Sequence, residues 1–456
     1  MKLRLVIMTI LIAGVIQSFG QDSIKSSEKT LTLEQAITIA LVRNTSLEKS
    51  EFGIKGYESN LQASYGGLLP SISGAGGWQW SRSEEAGGSV YYGGAVLELP
   101  KRTSEIRSWS GGVSSSWTLF DGLSNLATIR KSEKELMSAK LTLERLKQDV
   151  VFQTIGGYYN ILNLEKLVLV KEENLKWNQK NYEIIKEKSR LGAGTMADVY
   201  AQQVKLGTAE LELLKAKNDY ENEKSNYLFY LGVDVLENYT FKDQDIDKVL
   251  DSDFKLQNKI SLEFNKLIVQ ALENRPDYQS AVFKLNASQD NLSIARGSYY
   301  PSLSNSMSFG LRGETPGDMW NTKQYTAGIS LRIPIFQGWS IDNRVEYAKI
   351  DAKNSEITLS DLEREIKKSI QKSYRDLQTS EKRLEVSQSN VEAARENLKI
   401  EEEKYSLGST TLLNVLIANA DYINAQTSFI NSQFEYLRLK EEINYYIGII
   451  DYKKFE

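Results

Sequence analysis

Two rhythms divide the chain. Over residues 123–190, and again over 339–406, the sequence is charged and poor in glycine, as in a long solvent-washed helix. Four shorter stretches instead alternate apolar and polar residues strictly, as half-buried strands do. In 71–81, Ile72, Trp78 and Trp80 share a face with glycines, opposite Ser71, Ser73, Gln79 and Ser81. In 108–119, Trp109, Val113, Trp117 and Leu119 oppose Ser110, Ser114, Ser116 and Thr118. In 302–312, Leu303, Met307, Phe309 and Leu311 oppose serines and Arg312, and in 325–335 Tyr325, Ile329 and Leu331 oppose Thr326, Gly328, Ser330 and Arg332. About ten residues is the length of a tilted membrane-spanning strand. A soluble β-sandwich with one wet face would fit the alternation too. The tryptophans favour the membrane: Trp78, Trp80, Trp109, Trp117, Trp320 and Trp339 lie in or beside these strands, as an aromatic girdle would.

The pattern occurs twice. "WTLFDG" (117–122) matches "IPIFQG" (333–338), and "RLGAGTMADV" (190–199) matches "SLGSTTLLNV" (406–415), both at an offset of 216. "SYGGLLPSIS" and "ARGSYYPSLS" sit 231 apart, so copy one carries 15 extra residues between Pro70 and Phe120, expected as an exposed loop within 84–102. Each copy begins with a helical segment, about 31–66 or 262–298, followed by two strands and a long helix. A glycine break and a return helix, about 195–231 or 411–446, complete it. The division is 1–20 as signal peptide, 21–232 as repeat one with its tip at 191–195, 233–260 as connector, and 261–456 as repeat two with its tip at 407–411.

Residues 123–190 as a helix reach about 100 Å, and the return helix about 55 Å. A short helix stacked on the return helix would nearly match the long one, which is the arithmetic of an elongated tube. On the return helices Val199, Leu206, Leu213, Tyr220 and Tyr227 fall every seven residues, as do Val415, Tyr422, Phe429, Tyr436 and Ile443. A sustained seven-residue repeat makes a left-handed coiled coil. Each glycine break is therefore expected to be a hairpin tip. Gly192 or Gly194 would end one helix, and Thr195 would cap the next with Asp198 in a capping box. Thr411 and Asn414 hold those slots in copy two.

The N-terminus has Lys2 and Arg4, then an apolar core from Leu5 to Ile16, then Ser18 and Gly20. That reads as a secretory signal cleaved near Gly20–Gln21, too short to span a bilayer. No later segment approaches a transmembrane helix, so a membrane crossing requires a barrel. Four strands cannot close one, since eight is about the minimum, so two, three or four chains would share it. Cys and His are both absent, which removes thiolate chemistry, Cys-ligated metals and the commonest general base. Net charge is −4, with no basic field for nucleic acid. No P-loop or metal-ligand cluster is present, and no cofactor is expected. The "KEEN" and "EEEK" carboxylates (171–174, 401–404) read as solvated helix faces. An exported glycosidase-like enzyme with paired carboxylates finds no converging pocket in such helices.

Taken together, "ALENRPDY" (271–278), "YYPSLS" (299–304), "WTLFDG" and the two Leu-Gly hairpins resemble the TolC-type outer membrane efflux channel family over essentially the whole mature chain. The resemblance implies an α plus membrane-β fold. Three chains would form a twelve-stranded β-barrel in the outer membrane of a Gram-negative bacterium, continuous with a long coiled-coil tunnel in the periplasm. It implies a passive exit duct in a tripartite efflux or type I secretion system, served by a periplasmic adaptor and an inner-membrane pump. Gly192, Gly194, Thr195, Gly408, Ser409 and Thr411 would form adaptor-docking tips. The family often places Asp at a constricted entrance near the copy-two tip. Here Asn414 and Ile417 stand there, with Asp198 the match in copy one. A periplasmic coiled-coil adaptor without a barrel is the alternative, but it has no need of four amphipathic strands.

Overall fold

The computed structural model describes residues 29–242 and 264–455, so the expected signal peptide and most of the connector lie outside the described residues. The first copy runs through β1 (Lys29–Leu31), α1 (Leu33–Arg43), α2 (Thr45–Gly66), β2 (Ser71–Glu85), β3 (Gly88–Tyr92), β4 (Ala95–Leu99) and β5 (Arg102–Phe120). It continues with α3 (Ser124–Arg190), α4 (Met196–Leu231) and β6 (Tyr239–Phe241). The second runs through α5 (Phe264–Asn274), α6 (Pro276–Gly297), β7 (Ser302–Gly313), β8 (Lys323–Arg332), α7 (Ser340–Ser406) and α8 (Leu412–Ile447).

The leading helical segments are each interrupted. In copy one Asn44 leaves helical geometry, and its side-chain oxygen accepts from the amides of Ser46 and Leu47 to start α2. In copy two the break falls at Arg275, because the residue before a proline avoids helical geometry and Pro276 suits the first turn of α6. The expected loop at 84–102 is largely a second hairpin, β3 paired antiparallel with β4 around the left-handed Gly93 and Gly94. Strand β8 ends at Arg332, short of the expected 335, since Pro334 has no amide to donate to a ladder.

One antiparallel sheet of order β2-β5-β7-β8 forms an end of the molecule. Strands β5 and β8 lead into the two 67-residue helices through paired elbows, where Gly122–Leu123 and Gly338–Trp339 all take positive φ. Near the sheet the helices lie in the row α2, α3, α6, α7; near the far end the row is α4, α3, α8, α7. The 22-residue α2 and 36-residue α4 thus share the length of α3, and α6 and α8 share that of α7.

Between sheet and tips the row thickens into a waist. Strands β1 and β6 pair in parallel, tying the start of the described chain to the residues after α4. Fully buried Tyr158 donates its hydroxyl to the carbonyls of Leu31 and Lys242, while Phe241 and Tyr227 stand edge-on to its ring. In the second copy Leu267 and Ala271 of α5 pack with Ile366, Ile370 and Ile447, and a polar cluster lies beside them. Arg145 and Arg275 donate to the carbonyls of Tyr445 and Tyr446, where the dipole at the end of α8 favours a cation. Asp277 accepts from Arg275 at 2.6 Å. Burial pushes the Asp277 carboxyl up, but Arg275, with Arg145 behind it, overcomes this and holds it below the usual carboxylate range.

Candidate functional site

The ladder fixes which strand residues share a face. Pairs Ile72↔Ser115, Trp78↔Trp109, Val113↔Phe309, Phe309↔Tyr325 and Leu303↔Leu331 place the apolar side chains of all four strands on one side. On the other side stand Ser73↔Ser114, Ser114↔Ser308, Ser116↔Ser306 and Ser308↔Thr326. The apolar side is open: Ile72 is 73% and Ile329 71% exposed. Leaving such residues uncovered in water is unfavourable, so the face calls for lipid or another chain over it. Among the described residues no helix is long and apolar enough to cross a membrane.

Six tryptophans were expected as a girdle, and they fall into two groups. Trp78 and Trp109 face each other across β2 and β5 with ring centroids 6.2 Å apart, and the Trp80 indole donates to Glu105 at 2.8 Å. Trp320 stands at this outer end on a short 3₁₀ turn, Asp318–Asn321. Toward the helices, the Trp117 indole donates to the Leu68 carbonyl and Trp339 packs edge-on against Phe336. Trp109 and Trp117 are eight residues apart on β5, about 26 Å along the strand. Tilted by about 40°, that length covers about 20 Å of height, most of the ~25 Å apolar band of an outer-membrane barrel.

The two tips are built alike at their turns. Gly192 and Gly408 both have φ of 75°, which a side chain would strain, and Ala193 and Ser409 donate back to the carbonyls of Lys188 and Lys404. The restarts differ. Thr195 accepts from the amide of Asp198, and the Asp198 carboxylate accepts from the amide and hydroxyl of Thr195. The expected capping box is therefore formed in copy one, and it occupies the Asp198 carboxylate. Thr411 begins α8 without a side-chain cap. Here the structure departs from expectation, because Asn414 turns its amide onto Thr410, whose hydroxyl donates to Glu401. Gly192, Thr195, Gly408, Ser409, Thr411, Asn414 and Ile417 are all exposed, while Gly194 and Asp198 are half-buried.

Behind the turns the tips brace each other. Ile185, Val199, Leu412 and Leu416 form a shared core flanked by Trp177, Tyr182 and Tyr405. The Trp177 indole donates to Glu402 at 2.7 Å, and Lys188 sits 4.5 Å from the centre of the Tyr405 ring. Burial pushes the Tyr405 hydroxyl up, and the nearby Asp198 carboxylate adds to it. Outside this core the tips show apolar side chains to solvent: Leu191, Leu407 and Leu413 are 67%, 83% and 63% exposed. Glycine and threonine drew attention to the tips. The exposed leucines were the missed signal, readable from the Leu-Gly pair common to both breaks.

A model of the outer membrane efflux protein family matches residues 36–232 and 267–448. The outer membrane efflux protein BepC of Brucella suis is 19% identical over 433 residues, spanning 95% of this chain and 87% of that protein. Outer membrane protein TolC of Escherichia coli is 22% identical over 348 residues, 73% of this chain and 68% of that protein. The solved CmeC outer membrane channel of Campylobacter jejuni superimposes with a TM-score of 0.75 at 20% identity, over 92% of this chain and 88% of that one.

Proposed function

Since the chain belongs to the outer membrane efflux protein family and resides in the outer membrane, we propose that three copies form one exit duct through which cargo leaves the cell. The observation that carries this is a sheet with one apolar and one serine-rich face whose edge strands, β2 and β8, each lack a partner on one side among the described residues. An unpaired edge cannot stand in lipid. Pairing β8 of one copy with β2 of the next leaves no edge. Three copies, the number the family resemblance implies, give twelve strands. The helix rows extend with it: α4 and α7 are the outer members of the four-helix row and offer free flanks to neighbouring copies. The 67-residue helices then form a tunnel about 100 Å long in the periplasm.

The family match falls in two segments, and the left-handed residues at 122, 123, 192 and 232 have mates 216 residues on. Both support an internal duplication. The tips point away from the sheet and carry exposed Leu191 and Leu407, which suits docking to a periplasmic adaptor that couples the duct to an inner-membrane pump. Six similar tips in a trimer would let weak single contacts add. The duct is passive, and no residue here is assigned a catalytic step.

The test pairs assembly with transport. In cells lacking the native gene, Leu191→Asp with Leu407→Asp should leave a heat-modifiable trimer in the outer membrane. Efflux of a fluorescent dye and crosslinking to the adaptor should be lost. Full efflux in that variant would remove the docking role. Recovery of the wild-type chain as a detergent-free periplasmic protein would replace the duct with the adaptor reading.

A further inference from the structure

The serine-rich face carries an unbalanced charge. Along the four strands the residues on that side alternate with the apolar ones, and they include only four ionisable groups: Glu85, Arg102, Arg312 and Arg332. Glu85 and Arg102 are direct cross-strand partners at the outer limit of β2 and β5 and offset each other. Arg312 and Arg332 have no such partner, and among the described residues neither forms an ion pair. The Arg312 Nε donates to the Ser108 hydroxyl at 3.0 Å, which orients the guanidinium without neutralising it. Immediately inward lies a row with almost no side chains, Ala75, Gly112 and Gly310, ending at Gln324. A shallow concavity of about 600 Å³ opens there beneath Arg312. Arg332 closes β8 at the opposite end, paired with Ser302.

We infer that the barrel interior is an anion path, with Arg312 and Arg332 as two cationic collars that favour cargo bearing carboxylate, phosphate or sulfate groups. The inference rests on the three-copy duct reading, which turns each arginine into a ring of three. Arg312 and Ser302, the partner of Arg332, are ten residues apart on β7, so the collars bracket about 33 Å of wall. Between them that wall presents hydroxyls, which donate to an anion's oxygens, and bare backbone, without competing charge. Twelve strands about 4.8 Å apart and tilted about 40° give a barrel radius near 12 Å. At that distance in water one unit charge biases a monovalent ion by roughly twofold, and three by roughly sixfold, provided salt is low enough not to screen them. Arginine also binds oxyanions bidentately, so a multivalent anion gains more than a point charge would.

Purified trimer in a planar bilayer, under a KCl gradient near 0.01 M, reads this directly from the reversal potential. Replacing both collars, Arg312→Gln with Arg332→Gln, should lower the chloride-to-potassium permeability ratio by at least threefold. Arg312→Lys should keep the wild-type ratio. An unchanged ratio in the double variant overturns the inference. Should an intact trimer pass no current, calorimetric titration with inorganic tripolyphosphate decides: binding weakened tenfold or more by Arg312→Gln supports the collar, and equal binding overturns it. Gel analysis beforehand separates the two failures, because a chain that forms no heat-modifiable trimer sinks the duct and the anion path together.

Discussion

Helices α4 and α8 are sequence mates with different fates. Each has 36 residues, each follows a left-handed glycine turn, and each ends on a left-handed glycine, Gly232 or Gly448. Yet six residues of α4 are buried against thirteen of α8. The cause is position: α8 lies between α3 and α7, whereas α4 touches α3 and leaves its far side open. Tyr436 is fully buried where its mate Tyr220 is half-buried, and Leu416 is 8% exposed where Tyr200 is 61%. The open side of α4 carries Tyr200, Val204, Leu211 and Leu214, a stripe that a flanking helix of another copy would cover. A heptad pattern thus states that a helix has a seam. It does not state how many.

Three pairs of substitutions test that contrast, each comparing mates. The largest effect belongs to the tyrosines. Tyr436→Ala should destabilise the protomer by about 3–5 kcal/mol, and Tyr220→Ala by less than half of that, as followed by circular dichroism during denaturation in detergent. Equal losses would mean that α4 is as enclosed as α8. Next come the mates Gly157 and Ser373 on the long helices. A methyl at Gly157 would sit 2.6 Å from the Tyr227 ring, so Gly157→Ala should cost about 1–3 kcal/mol despite better helix propensity. Ser373 is fully buried with its hydroxyl unpaired, so Ser373→Ala should stabilise by up to about 1 kcal/mol; thermal melts distinguish the opposite signs. The smallest effect is at the restarts. Thr195→Ala removes a working cap and should raise hydrogen exchange in the first turn of α4 by an amount worth about 1 kcal/mol. Thr411→Ala, which removes no cap, should leave the exchange of α8 unchanged.

Some of this architecture was written in short-range patterns. The bounds of α3, α4, α7 and α8 fall within a residue of the expected ones, because a long periodic run closed by Leu-Gly leaves little freedom. Strand faces were equally plain, since the period of two assigns Ser306 and Leu331 to opposite sides before any pairing is known. The misses were competitions between local signals. Pro334 shortened β8, Asn414 chose Thr410 over a cap, and the Gly93–Gly94 turn folded what length alone made a loop. What was not legible is long-range. Arg145 joins Arg275 and the end of α8 from 130 and 300 residues away, and Trp177 braces the opposite tip through Glu402. Neither follows a spacing rule, because each depends on how the helix row is ordered.

The elbows at Gly122–Leu123 and Gly338–Trp339 have a mechanical meaning. Leu123 and Trp339 hold φ of 68° and 63°, conformations that cost an L-residue about 1 kcal/mol or more, so the direction in which each long helix leaves the sheet is set by a few torsions. A rod about 100 Å long turns angle into travel: one degree at the pivot moves the free end by about 1.7 Å. The leverage runs the other way as well, so a push at the tips is felt at the strands as a large torque and a very small displacement. The sheet end can therefore stay still while the tips move.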